Sequence, residues 1–387
     1  MQPGGSITTR VLCTLDEIDA IAEAWHALEV HCADPLSYFQ SHDWCRNWVA
    51  RFGGDHKPYV VTLWRGDQLI AVWPRMIVGM AGIRRLETLG APHSQYCGAL
   101  VRRDAAPMAT IAQHMRAAVR DSGCDVTISR AVPHGTALAQ ILADKPQVRG
   151  SENAASFLDL SGFDSSADYT AKLGKLQKRN RNRRRNHLAR EGELSFEVIW
   201  PGHEQFAPLV RQCADMKRRW LAETGRFSTG FSMAGYENFL ASLDGSAEQL
   251  SGACLSVLRA GNRVVALELG FLSQGHYYAY IGGFDWDLRD LSPGKVQMDM
   301  TVCWLIDQNV RAYDLLINPA DYKASWSNNS IAVTSRAEAL SWRGQVYTSA
   351  WLPSVRPALK QLHGLLPGLA ERMGQALRPA VCLLFFI

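Results

Sequence analysis

Three short stretches of the sequence combine residue types that could act on a substrate. The first is Leu291-Ser292-Pro293-Gly294-Lys295. Serine commonly precedes a helix, and proline is tolerated at the first helical position, where its missing N–H costs nothing. A helix that begins this way offers unpaired backbone N–H groups and a positive dipole end. Gly294 keeps the first turn clear of side-chain bulk, and Lys295 adds a full positive charge. The chemistry is anion binding, and a phosphate or pyrophosphate could dock there; an ordinary capped helix has the same spelling. The second stretch is 266–271, where Glu268 stands between Leu267 and Leu269. Strand alternation turns Glu268 to the face opposite both leucines. A carboxylate in apolar surroundings has a raised pKa, which suits a general base; the alternative is an edge-strand glutamate facing solvent. The third stretch is Asp321, Tyr322 and Lys323 with Trp326, after the strand-like run 313–317. Loops at strand ends carry much of α/β chemistry, although a surface ion pair beside a packed tryptophan would look the same.

Other catalytic classes lack their residues. The sequence has no Gly-x-Ser-x-Gly, no HExxH, no Walker A and no dinucleotide fingerprint followed by an acid. Its nine cysteines include no CxxC, and the nearest two, Cys32 and Cys45, fit neither a disulfide framework nor a zinc spacing. They read as small buried hydrophobes, and no metal is expected. His276 reads as a turn residue rather than a base, and Asp314 as a brace for its strand end.

The elements that must position these groups occur twice. Residues 59–64 and 68–73 are strand-like and flank the turn Arg65-Gly66-Asp67; residues 254–258 and 263–269 flank Ala260-Gly261-Asn262. Glycine beside Asp or Asn between apolar runs predicts a hairpin, and the two turn glycines lie 195 residues apart. Helical stretches precede each hairpin, at 16–30 and 41–52 and at 203–220 and 233–243. Strand-like residues follow each (85–89 and 96–101; 276–282), then a helix (107–121; 294–309) and a strand (124–128; 313–317). The segment 284–290 reads as a polar and aromatic loop. One order of elements appearing twice predicts a duplicated α/β unit, with the boundary between Ser161 and Gly192; two unrelated α/β domains are the alternative.

Charge is unevenly spread. Residues 172–190 hold nine Lys and Arg and no acid; without them the net charge falls from +4 to −5. Arginines run all round this predicted helix and no aromatics interleave, so a phosphate-rich ligand or an anionic lipid surface fits as well as nucleic acid, which is not expected as a partner. From 351 on, apolar residues step by fours and threes (Val355, Leu359, Leu362, Leu366, Leu369), with Pro367 as a break. This tail reads either as a helical hairpin docked on the core or as a peripheral contact with an anionic membrane. No apolar run reaches the roughly 20 residues of a membrane span and no signal peptide is visible, so a cytoplasmic location is expected, with contact at the inner membrane face possible.

Five motifs in order carry a family resemblance: Glu268-Leu269-Gly270-Phe271; Tyr280-Ile281-Gly282-Gly283-Phe284-Asp285; Ser292-Pro293-Gly294; Tyr313-Asp314-Leu315; and Tyr322-Lys323-Ala324-Ser325-Trp326. Phe39-Gln40-Ser41 with Trp44, and the basic helix before Glu191-Gly192-Glu193-Leu194-Ser195-Phe196, add weaker marks. The set resembles the BioF2-like, CelD-type branch of the GNAT acyltransferase superfamily and is similar to the tandem-GNAT FemABX transferases. The resemblance covers most of residues 35–330. It lacks the Q/R-x-x-G-x-G/A motif of ordinary GNATs, which makes the phosphate cradle thinner.

The resemblance implies an α/β (α+β) fold of two tandem GNAT-like units, each a mixed, mainly antiparallel sheet flanked by helices. The expected divisions are a degenerate N-terminal unit (1–165), a basic connector (166–192), a catalytic unit (193–348) and an amphipathic helical tail (349–387). It implies an N-acyltransferase with acyl-CoA as co-substrate rather than a resident cofactor, acting on an amine of a sugar, lipid or cell-envelope precursor by direct attack. Ser292, Gly294, Lys295 and Gly283 would flank the CoA pyrophosphate. Glu268 would be the base and Tyr322 the acid for the leaving thiolate. Asp321 and Lys323 would orient the acceptor, and Arg219, Trp220, Tyr280 and Trp326 would line its site. FemABX relatives use aminoacyl-tRNA in the donor place, so that donor stays open, as does a non-catalytic binding or effector protein with this fold.

Overall fold

In a computed structural model the described residues are 6–355, apart from 33, 35, 81 and 318–322. The chain forms two compact units, one of residues up to 153 together with those from 332 on, the other of residues 154–331. No helix among the described residues is long and apolar enough to cross a membrane.

In the first unit the sheet order is Ile7–Leu12, Lys57–Arg65, Gln68–Met80, Ile83–Thr88, Val126–Pro133 and Asn329–Ala339. Neighbours are antiparallel except Ile83–Thr88 against Val126–Pro133. The helix Met108–Arg120 buries Ile111, Ala112, Met115, Ala118 and Val119 along one stripe, at the spacing the sequence predicts. The stretch 16–30 is two helices, Leu15–Asp19 and Ala22–His31, rather than one; the first is a short piece closed by a Thr14–Glu17 capping box.

The second unit repeats the plan. Its sheet order is Leu194–Ile199, Ser251–Ala260, Arg263–Ser273, His276–Phe284, Ala312–Asp314 and Asn153–Asp159. Again one pair alone is parallel, His276–Phe284 with Ala312–Asp314. The helix Phe206–Glu223 packs on one face of this sheet and the helix Pro293–Asp307 packs against its central strands. Gly66 and Gly261 adopt φ of +58° and +56°, the left-handed region that a tight hairpin turn demands. Both hairpins carry a bulge at the equivalent place, Leu63/Trp64 and Leu258/Arg259. A bulge 195 residues from its counterpart is independent of the turn chemistry, and it supports duplication over two unrelated domains.

The unit boundaries fall elsewhere than expected. Strand 153–159 pairs with Ala312–Asp314, so it belongs with the second unit rather than ending the first. Residues 333–339 pair with Val126–Pro133 and so lie in the first unit, not in a 193–348 domain. The basic stretch is a helix, Lys175–Leu188, inside the second unit. The expected tail lies outside the described residues from 356 on.

Candidate active site

Glu268 sits mid-strand in Arg263–Ser273, opposite Ser256 on one side and Gly282 on the other, and is 5% exposed. With paired strands on both sides it is no edge residue. Its Oε1 accepts from the Tyr277 hydroxyl at 3.1 Å and its Oε2 from the Tyr313 hydroxyl at 2.7 Å. The two phenol rings stack, centroids 5.5 Å apart and planes 12° apart. Tyr277 passes directly over Gly270: a Cβ there would lie 2.1 Å from the ring, so only glycine admits this arrangement. Burial pushes the Glu268 carboxyl up to about 7, while the two phenol bonds hold it down. Such a group changes charge near neutral pH, as a general base must.

Beside Glu268 the sheet opens. Among the described residues the parallel pairing of His276–Tyr278 with Ala312–Asp314 is three residues long, and residues 279–284 continue beyond it. Gly282, opposite Glu268, is exposed, and a Cβ there would meet nothing within 4 Å. The strand then runs through a 3-10 helix, Trp286–Leu291, where the sequence reads as loop, into the helix Pro293–Asp307.

Pro293 opens this helix as expected, but Ser292 caps it differently. Its backbone is left-handed (φ +58°, ψ +47°) and its side chain makes no capping bond. Its carbonyl instead accepts from the amides of Lys295 (3.0 Å) and Val296 (3.3 Å). Among the described residues no acceptor takes the Gly294 N–H, which stays available at the positive helix end. A Cβ at Gly294 would make only ordinary contact with Phe284 at 3.5 Å, so internal packing does not demand glycine there.

The basic helix Lys175–Leu188 supplies the rest of this corner. Arg181 turns inward, donating to Asp299 Oδ2 at 2.5 Å, Thr170 Oγ1 at 2.5 Å and Cys303 Sγ at 3.0 Å. Burial raises the Asp299 carboxyl even with Arg181 beside it. A cavity of about 180 Å³ is lined by Lys295, Val296 and Asp299 on one side, Arg181, Arg184 and Arg185 on another, and Tyr169 and Trp326. Four cations face one carboxylate there, a surplus of three positive charges. Lys295 and Trp326, far apart in sequence, thus share one cavity. The arginines were legible only as part of a charge run, because nothing in their spacing marks which of them face it.

The remaining candidates are spread more widely. Gly283 lies under the helix Phe206–Glu223, and a Cβ there would come within 2.7 Å of the Cys213 carbonyl oxygen; close helix–strand packing accounts for the glycine. Arg219 is exposed and pairs with Asp287 at 2.7 Å. Trp220 lies between Lys217 and Arg226, and Tyr280 accepts from the Tyr236 hydroxyl at 2.8 Å. Lys323 points inward rather than to a substrate. Its ammonium donates to the Leu316 carbonyl at 3.0 Å, and burial pulls it down to about 8 against the pull of Asp314. Asp314 braces the strand end as expected, accepting from the Leu316 amide at 2.7 Å, and its other oxygen lies 3.1 Å from His276 Nε2. His276 is therefore a buried partner of Asp314 at the start of a strand. Asp321 and Tyr322 lie outside the described residues.

The first unit has no equivalent carboxylate. By the offset of 195, Trp73 stands where Glu268 does and Arg75 where Gly270 does. Arg75 is fully buried and bonds the Leu86 carbonyl at 2.5 Å and the Ile128 carbonyl at 2.8 Å, tying together the two strands that would have to part. The partners of Glu268 escaped sequence reading because Tyr277 and Tyr313 reach it only once three strands are in register.

Residues 175–324 match the acetyltransferase (GNAT) domain family. No curated protein sequence matches the chain. Among solved structures, FemX is similar at 10% identity over 88% of this chain and 98% of its own, with a TM-score of 0.58. The C-terminal domain of a protein described as a lysylphosphatidylglycerol synthetase from Agrobacterium fabrum is similar at 15% identity over 86% and 98%, with a TM-score of 0.53. At such identities the likeness is one of fold. Residues 175–324 are thus similar to the GNAT acetyltransferase domain family, in a chain whose fold is similar to that of FemX.

Proposed function

We propose that the second unit is an N-acyltransferase that moves the acyl group of an acyl-CoA onto the amine of a sugar, lipid or envelope precursor. The observation that carries this reading is Glu268, a buried carboxyl poised near neutrality beside a strand gap. The amine nitrogen attacks the thioester carbonyl, the new C–N bond forms and the C–S bond breaks. The amine proton passes to the Glu268 carboxylate, directly or through one water. The CoA thiolate leaves and takes a proton, for which Tyr322 is the candidate donor from sequence. Lys295, the Gly294 amide, Arg184 and Arg185 suit a pyrophosphate, because a helix start and guanidinium groups stabilise phosphate oxygens. The test is thiol release from a panel of acyl-CoAs offered amino sugars and long-chain amines. Turnover that falls in E268Q supports the reading; no turnover with any acyl-CoA, together with no CoA binding, overturns it.

One observation favours a second donor. Lys175, Arg179 and Arg183 stand exposed on the helix Lys175–Leu188, a track longer than a pyrophosphate needs. An aminoacyl-tRNA would use it. A filter assay with charged tRNA separates the two donors.

A further inference from the structure

At the C-terminal end of the helix Phe206–Glu223, two cations flank one indole. Lys217 Nζ lies 3.9 Å from the centre of the Trp220 ring, and the Arg226 guanidinium carbon lies 5.0 Å from it. The neighbouring arginines are all matched: Arg218 with Asp215 at 2.9 Å and Glu237 at 2.6 Å, Arg219 with Asp287 at 2.7 Å. Among the described residues no carboxylate pairs with Lys217 or Arg226. Lys217 is half-buried, and burial lowers its ammonium; the Cys213 thiol acts in the other direction, and the like charge of Arg226 lowers it further. An ammonium partly stripped of water and left without a counter-ion is unfavourable, and a ligand anion would relieve it. Trp220 adds a flat apolar surface, and Phe227, 54% exposed, follows Arg226 in the chain.

The position is as telling as the charge. Cys213 and Met216, on the same helix, abut Gly283 at the end of the strand that borders the gap. Lys217 and Trp220 continue that side of the helix by one turn. The ion pair Arg219–Asp287 fixes the helix end to the segment that leads into Pro293. Glu268 and the donor helix Pro293–Asp307 lie on the other face of the same strands: Ser256, opposite Glu268, bonds Gln297 at 2.6 Å and lies 3.1 Å from the Thr301 hydroxyl.

We propose that Lys217, Trp220 and Arg226 bind an oxyanion, phosphate or carboxylate, carried by the amine acceptor. This names the acceptor class and rests on the acyl-transfer reading above. The acceptor enters from the Phe206–Glu223 face with its anionic group on the two cations and its amine directed to the gap, while the donor occupies the opposite face.

Calorimetric titration tests it with three amines that carry an anionic group, O-phosphoethanolamine, glucosamine 6-phosphate and β-alanine, and their counterparts without one, ethanolamine, glucosamine and propylamine. Wild-type protein should bind at least one amine that carries an anionic group about tenfold more tightly than its counterpart without one. The phosphate and carboxylate arms say which oxyanion it is. The double variant K217M/R226M, which keeps side-chain bulk over Trp220, should lose that preference while still binding CoA and melting at the wild-type temperature. Equal binding of amines with and without the anionic group overturns the proposal. So does a preference that survives in K217M/R226M, or one that disappears in K295A instead. Failure of the acyl-transfer reading looks different: CoA does not bind, whatever the amines do.

Discussion

Tyr313 donates its hydroxyl to Glu268 at 2.7 Å and stacks its ring on Tyr277, which donates to the other carboxylate oxygen. The carboxylate is thus bonded on both oxygens inside an apolar core. The phenols stabilise its charged form, and burial works against them. Removing one phenol must therefore raise the carboxyl further. In Y313F the acid limb of the kcat/KM profile should move to higher pH than the wild-type limb near 7. An unmoved limb would mean that another group sets it.

Glu268→Gln removes the titration altogether. Its pKa in the folded chain, about 7, exceeds the unfolded value of about 4.3, so its contribution to stability is fully present below about pH 4 and is lost as pH rises through 7. Wild-type protein should lose roughly 2–3 kcal/mol from this group between pH 5 and pH 8. E268Q should not, and should be the more stable of the two at pH 8 while its turnover falls at least about a hundredfold. Urea denaturation at the two pH values checks the first part, and thiol release checks the second.

Local chemistry made much of this legible in the sequence. The hairpins at Gly66 and Gly261 follow from turn residues a few positions apart. The burial of Glu268 is one of the two readings that its leucine neighbours allow, the other being an edge-strand glutamate. What stayed hidden depends on distant partners. Tyr313 lies 45 residues from Glu268 and reaches it across the intervening strand His276–Phe284. Arg181 is one of nine cations within residues 172–190, and what distinguishes it are its inward partners, chief among them the carboxylate of Asp299, 118 residues on. The strand 329–339 could have closed either sheet, since an alternating pattern does not name its partner.

Gly270→Ala tests the tyrosine arrangement from the backbone side. The new methyl would collide with the Tyr277 ring, which is locked by Glu268 and by the stack on Tyr313. Overpacking of this kind costs about 1–3 kcal/mol. Melting should drop, and the acid limb should shift to higher pH as in Y313F. A G270A protein with wild-type melting and pH profile would show that Tyr277 is free to move.

Arg181→Ala separates structure from ligand binding within the basic helix. It leaves Asp299 buried without its partner, which costs about 3–5 kcal/mol, whereas R181M/D299N removes both charges and should recover much of the loss. Exposed Arg179 and Arg183, in contrast, can be removed with changes in stability of only about 0.5 kcal/mol. Thermal melting of the four proteins orders them.

Lys295, Arg184 and Arg185 face the same cavity as the Arg181–Asp299 pair but are not consumed by it. Their charge is available to a ligand at the helix start, where added salt should weaken it. K295A and R184A/R185A should each raise KM for the acyl-CoA, by about 5- to 50-fold in low salt and less in 0.5 M salt, with kcat little changed, since a phosphate grip acts equally in ground and transition states. R179A/R183A bears on the other donor: it should weaken charged tRNA if that is the substrate and leave the KM for CoA alone. A K295A enzyme with an unchanged KM for every acyl-CoA would remove the helix start from the donor site, and with it the reason for assigning the pyrophosphate to residues 292–295.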